Sequence, residues 1–167
     1  MMNPLSAEER KTLEMTVLMT PDLANFSGKV HGGALLNWLD RVAFSLASRY
    51  SGRYAVTISV DQVIFKEPIH VGELVRFRAS VNHTGRSSME IGIRVEAENI
   101  REGTRRHTNS CYFTMVAVDE AGKTVPVPML VPETESEKLR WKAAELRKAL
   151  RRAHEEQMEA AAQGKAE

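Results

Sequence analysis

Cysteine is nearly missing from this chain: Cys111 is its one thiol in 167 residues. A single thiol cannot close a disulfide within the chain, and a zinc site built on cysteines is excluded with it. Excess charge of one sign is missing too. The formal net charge is +1, so no bulk binding to nucleic acid is expected. No apolar run reaches about 18 residues, so no membrane-spanning helix is expected. Residues 1–11 hold no apolar core behind basic residues, so no signal peptide is expected either. A single-domain-sized soluble protein of the cytoplasm follows as the expectation. Several catalytic signatures are missing as well. No phosphate loop, nucleophile elbow or His-Glu-x-x-His run occurs. The five histidines, His31, His70, His83, His107 and His154, show no metal-ligand spacing.

What is present centres on residues 25–50. Asn25-Phe26-Ser27-Gly28-Lys29-Val30-His31-Gly32-Gly33 is a polar loop punctuated by glycine. It runs into Leu35, Leu36, Leu39, Val42, Ala43, Leu46 and Ala47, a wide apolar arc at helical spacing. The spacing predicts a helix over Gly33–Tyr50, stopped by Ser51-Gly52 and buried on that arc. Asp40 interrupts the arc at its edge, beside Leu36, Ala43 and Phe44. Two readings of Asp40 stand: a solvated carboxylate, or one that has lost water, gained a raised pKa and works as a base or nucleophile. Gly32 and Gly33 also read two ways. They can simply permit the turn, or they can leave bare amides open to a ligand where the helix dipole favours negative charge. His31 reads as a loop histidine, and Cys111, among apolar neighbours, as a core thiol.

Strands surround this helix. Thr12–Thr20, Ala55–Phe65, Leu74–Thr84, Ser87–Ile100 and Arg105–Val118 carry the β-rich or alternating patterns. In the fourth, Met89, Ile91, Ile93, Val95 and Ala97 face one way, while Glu90, Gly92, Arg94, Glu96 and Glu98 face the other. Connections too short for helical crossovers predict an antiparallel sheet. Its apolar face needs a cover, and the Gly33–Tyr50 helix is the candidate. The class is therefore α+β: a long central helix wrapped by a curved antiparallel sheet, over residues 1–132. Pro126, Pro128 and Pro132 then stiffen a linker. Residues 133–167 read as a helical extension, with Leu139, Ala143, Leu146, Leu150 and Ala153 spaced as a narrow seam.

Three fragments raise the reading above a generic domain. Pro21-Asp22-Leu23-Ala24-Asn25 and Lys29-Val30-His31-Gly32-Gly33 precede the helix, with Asp40 following. Phe65-Lys66-Glu67-Pro68-Ile69-His70-Val71-Gly72-Glu73 comes after the second strand. Thr84-Gly85-Arg86-Ser87-Ser88-Met89-Glu90-Ile91 opens the fourth. In order and spacing the set resembles the hotdog-fold acyl-CoA thioesterases of the cytosolic acyl-CoA hydrolase group, over about Thr12 to Val118.

The resemblance implies hydrolysis of acyl-CoA to free fatty acid and CoA, with no metal and no cofactor beyond the CoA of substrate and product. It implies Asp40 as general base or nucleophile and Asn25 as the residue positioning the thioester or the water. It implies backbone amides at Gly32 and Gly33 for the thioester oxygen, and Arg86, Ser87 and Ser88 near the CoA moiety. Arg105 and Arg106 are further arginines that could meet its phosphates. It also implies a homo-oligomer, a dimer of hotdogs and a hexamer, with Asn25 of one chain meeting Asp40 of another. A non-catalytic acyl-CoA sensor on the same fold is the alternative. A hotdog hydratase needs an Asp-His pair that is not evident.

Overall fold

The structure is a computed structural model and describes residues 3–164. A short helix, α1 (Ala7–Lys11), opens it. Its signal is local: Ser6 and Glu9 form a reciprocal capping box, which suffices for one turn. The strands are β1 (Thr12–Leu18), β2 (Tyr54–Val60), β3 (Leu74–Thr84), β4 (Ser88–Asn99) and β5 (Thr104–Val118). They form one sheet in the order β1-β3-β4-β5-β2, antiparallel throughout. The long helix α2 (Gly32–Ser51) packs against all five strands. This is the hotdog arrangement that the pattern predicts.

α2 ends where Gly52 takes φ +66°, a left-handed cap that suits glycine. Its buried face is Leu35, Leu39, Val42, Ala43, Leu46 and Ala47. Leu36, assigned to that face from the sequence, is exposed instead. The arc is one position narrower than its apolar spelling. Opposite it stand Val75, Phe77, Met89, Ile91, Ile93, Val95, Phe113 and Met115, all essentially inaccessible. Burying a side chain of this kind is worth about 1.5–3 kcal/mol, so this layer holds the helix in place. Cys111 belongs to the same layer, and burial pushes its thiol up to about 12. It is a core thiol.

Two strand expectations need correction. β1 stops at Leu18, two residues early. β2 stops at Val60 although Val and Ile continue to Phe65. The register between β2 and β5 slips between Thr57 and Ser59, and after Val60 the backbone leaves the ladder. The outer face of β4 also departs from simple alternation, because Glu90 and Gly92 are buried. Ser80 donates to Asn82 Oδ1 and Asn82 Nδ2 donates to Glu90, so these polar groups bond to one another. Gly92 leaves the room: a Cβ there would run into Asn82 Nδ2.

As an edge strand, β2 leaves Tyr54, Val56, Ile58 and Val60 exposed. The chain divides into two compact units, the first ending at Met129 and the second beginning at Leu130. The second contains helix α3 (Glu135–Ala162), started by a capping box between Thr134 and Glu137. Leu139, Leu146 and Leu150 of its seam are exposed.

Candidate active site

The loop before α2 is built by one side chain. Asn25 Oδ1 accepts from Ser27 N–H at 2.9 Å, Ser27 O–H at 2.8 Å and Lys29 N–H at 3.1 Å. Asn25 N–H donates to the Lys29 carbonyl, and Gly28, at φ +75°, makes the turn between them. With Oδ1 occupied by the loop, the Nδ2 group donates to no atom among the described residues. A donor is therefore left open on a stiff support. The loop is also tied down from outside. Val30 N–H donates to Ile69 O, and His31 N–H donates to Leu23 O, each at 2.8 Å.

The segment that receives this loop is clamped in turn. Arg106 donates to Glu73 Oε1 at 2.6 Å, to Glu73 Oε2 at 2.8 Å and to the Pro68 carbonyl at 2.6 Å. His70 N–H adds a bond to Glu73 Oε2. These bonds, Arg106's first, hold the nearly buried Glu73 carboxyl below its ordinary pKa against the opposing effect of burial. Arg106 is thus committed to Glu73, and Arg105 pairs with Glu98 at 2.6 Å. Each of the two further arginines expected near the CoA phosphates is thus paired with a carboxylate of its own chain.

At the start of α2 the two glycine amides separate. His31 is the N-cap, and its Nδ1 accepts from Gly33 N–H at 3.0 Å. The Gly33 amide is therefore already occupied, and its expected oxyanion role is not supported by this geometry. Gly32 N–H donates to nothing among the described residues. It points from the positive end of a 20-residue helix.

Asp40 lies two turns further on and is exposed. The expected loss of hydration does not occur in the single chain: Ala43 is buried beside it, but Leu36 is exposed and Phe44 lines a groove open to water. Asp40 Oδ1 accepts from the Thr57 hydroxyl at 2.6 Å, a length typical of a hydroxyl on a carboxylate. Thr57 escaped the sequence reading, where it was one more β-branched strand residue. The bond fixes the carboxylate and leaves Oδ2 free for a second partner. The groove around the pair holds about 640 Å³ and is lined by Met15 of β1, Trp38, Arg41, Phe44 and Ser45 of α2, and Tyr54–Thr57 of β2. It lies where the two edge strands of the wrapped sheet approach the same side of the helix.

The helix is regular from Gly32 to Ser51. At 1.5 Å per residue it puts Asp40 about 12 Å from Gly32 along the axis. Two turns of straight helix thus separate the carboxylate from the amides at the helix start. One chain therefore does not bring Asp40 and the open Gly32 amide to the same carbonyl.

Arg86, Ser87 and Ser88 form the β3–β4 turn and the start of β4. Arg86 is exposed, and its side chain has no partner among the described residues; its carbonyl accepts from Val127 N–H. Ser88 is in register with Val116, which is in register with Val56 of the groove strand. At about 4.8 Å per strand, Ser88 is about 10 Å across the sheet from Val56. The described residues contain no cluster of three or more side chains able to hold a metal ion, and no described helix is long and apolar enough to cross a membrane.

Residues 27–104 match the model of the thioesterase superfamily. Protein VdlD of Helicobacter pylori is 48% identical over 147 residues, covering 88% of this chain and 84% of its own. A hexameric acyl-CoA thioesterase solved in its apo form superposes with a TM-score of 0.84 at 39% identity, over 87% of this chain and 94% of its own. The acyl-CoA hydrolase of Staphylococcus aureus, solved with butyryl-CoA and CoA, gives 0.78 at 30% identity, over 90% and 94%. Forms of that hydrolase with an aspartate, a threonine or an asparagine changed to alanine have also been solved. Those three residues follow one another at the spacing of Asn25, Asp40 and Thr57 in this chain.

Proposed function

The chain belongs to the acyl-CoA hydrolases of the thioesterase superfamily, and from that premise we propose that it cleaves acyl-CoA at a site completed by two copies of the chain. One observation carries the shared site: the distance along α2 between Asp40 and the open Gly32 amide. Asp40 with Thr57 comes from one protomer, and Gly32 with Asn25 from the other. Water attacks the thioester carbonyl while Asp40 Oδ2 takes its proton. The oxygen that becomes negative is held by Gly32 N–H and the helix dipole, the kind of fixed donor commonly worth about 3–4 kcal/mol. Asn25 Nδ2 supplies a second donor. The intermediate collapses, expels the CoA thiolate and leaves the carboxylic acid. The proton on Asp40 passes to the departing sulfur.

The exposed β2 stripe supports the dimer. Tyr54, Val56, Ile58 and Val60 stand on an edge with free backbone groups, which proteins commonly pair or cover. A second β2 would extend the sheet across a two-fold axis. Laid over the groove, it would also strip water from Asp40. Three such dimers make the hexamer. Acyl-CoA carries phosphates and does not diffuse across bilayers, so the enzyme would work where acyl-CoA is made, in the cytoplasm. Release of free thiol from a panel of acyl-CoAs tests the activity directly, and a chain that binds them without releasing thiol is a sensor.

Arg86, without a side-chain partner among the described residues and at the sheet end that holds the groove, is our candidate for the CoA phosphates, with Ser87 and Ser88 beside it. Arg86→Ala then raises KM for acyl-CoA at least several-fold and leaves KM for a pantetheine thioester unchanged. Equal effects on both substrates would remove Arg86 from the CoA site.

A further inference from the structure

Phe26 is fully exposed, at 115% relative accessibility, on the tip of the loop that Asn25 builds. An aromatic ring in water is usually a cost that flexibility softens by letting the ring fold back. Here the three bonds that Asn25 Oδ1 accepts from Ser27 and Lys29, with the Gly28 turn, fix the backbone that carries the ring. The loop therefore loses little backbone entropy when the ring docks, and buried aromatic anchors dominate interfaces. Its own chain gives it no seat. The loop stands at the N-terminal end of α2, whereas the aromatic groove begins at Trp38, about 9 Å along the axis. The groove offers three aromatic side chains, Trp38, Phe44 and Tyr54, with Phe44 and Tyr54 edge to face at 5.4 Å. It is continuous with the apolar β2 edge.

We propose that Phe26 of each protomer docks in the Trp38–Phe44–Tyr54 groove of a second copy of this chain, and that this contact sets Asn25 Nδ2 opposite Asp40. It rests on the shared-site reading and adds the residue that aligns the two halves. Phe26 and Asn25 are neighbours in sequence, as the groove and Asp40 are in space, so one docked ring positions the pair. Phe26 is a positioning residue, and no bond to substrate is assigned to it.

The test places a photoreactive ring at the position, Phe26→p-benzoylphenylalanine, in the full-length protein. Irradiation should give a cross-linked dimer on a denaturing gel, with the attached peptide drawn from residues 38–45 or 54–57. A chain that stays uncross-linked, or attaches elsewhere, overturns the proposal. Phe26→Ala should lower kcat about tenfold with an unchanged circular dichroism spectrum, and Phe26→Trp should keep most of the activity. An Ala variant with wild-type kcat, or one altered only in KM, overturns it as well. Thiol release by the unmodified protein is scored separately: cross-linking without hydrolysis would leave the interface standing and remove the enzymatic reading.

Discussion

Replacing Asp40 by asparagine lowers kcat about 10²- to 10⁴-fold and leaves KM close to its wild-type value. The reason is local. Asparagine keeps the size of the side chain and can still accept the Thr57 hydroxyl bond, so the groove keeps its shape. What it loses is a site for the proton of the attacking water. No serine–histidine or cysteine–histidine arrangement stands in reserve, since Cys111 is buried and its thiol is held protonated. Thr57→Ala has a smaller effect, about tenfold on kcat, because the carboxylate stays basic but is free to rotate. A fully active Asp40→Asn protein with a normal oligomer would reduce Asp40 to a surface charge on the groove.

The second large effect is on stability. Arg106→Ala leaves Glu73 nearly buried and without its main counter-charge, at a cost of about 2–4 kcal/mol. For a chain of this size that is a fall in Tm of about 5–15 °C. The pH dependence has a definite sign. Glu73 is held below its ordinary pKa when folded, so its contribution is complete above the unfolded carboxyl value and is lost as pH falls through the folded one. Wild type and Arg106→Ala therefore differ most near neutral pH and converge in acid. Thermal melts across that range check both magnitude and sign. Because the clamp also holds the segment that bonds Val30, the surviving folded variant should lose kcat as well.

The fold was readable wherever one element carried its own pattern. The α2 arc announces a buried helix, and the inward set Met89, Ile91, Ile93, Val95 and Ala97 announces β4, with all five side chains buried. The motif loops were readable through family resemblance. What escaped was set by partners distant in sequence. Whether Val63 and Ile64 lie in a strand depends on β5, and the ladder ends at Val60. Arg105 and Arg106 look free until Glu98 and Glu73 are brought opposite them. The Asp40–Thr57 bond joins a helix to an edge strand and leaves no local signature. The Gly32-Gly33 pair looked like two equivalent amides, and only the turn of the backbone shows His31 occupying one of them. Gly32 and Asp40 look close in sequence, and a straight helix converts their spacing into about 12 Å.

The central claim is a hydrolytic site divided between two chains, and mixing two inactive variants tests it most directly. Asn25→Ala and Asp40→Asn are purified separately, combined in equal amounts, dissociated under mild denaturant and reassembled. With random pairing across a two-fold interface, about half of the dimers are hybrids and each hybrid holds one intact site, so about a quarter of wild-type thiol release returns. Activity that stays at the sum of the two variants, in reassembled oligomers of normal size, would place Asn25 and Asp40 in one chain's site and contradict the account.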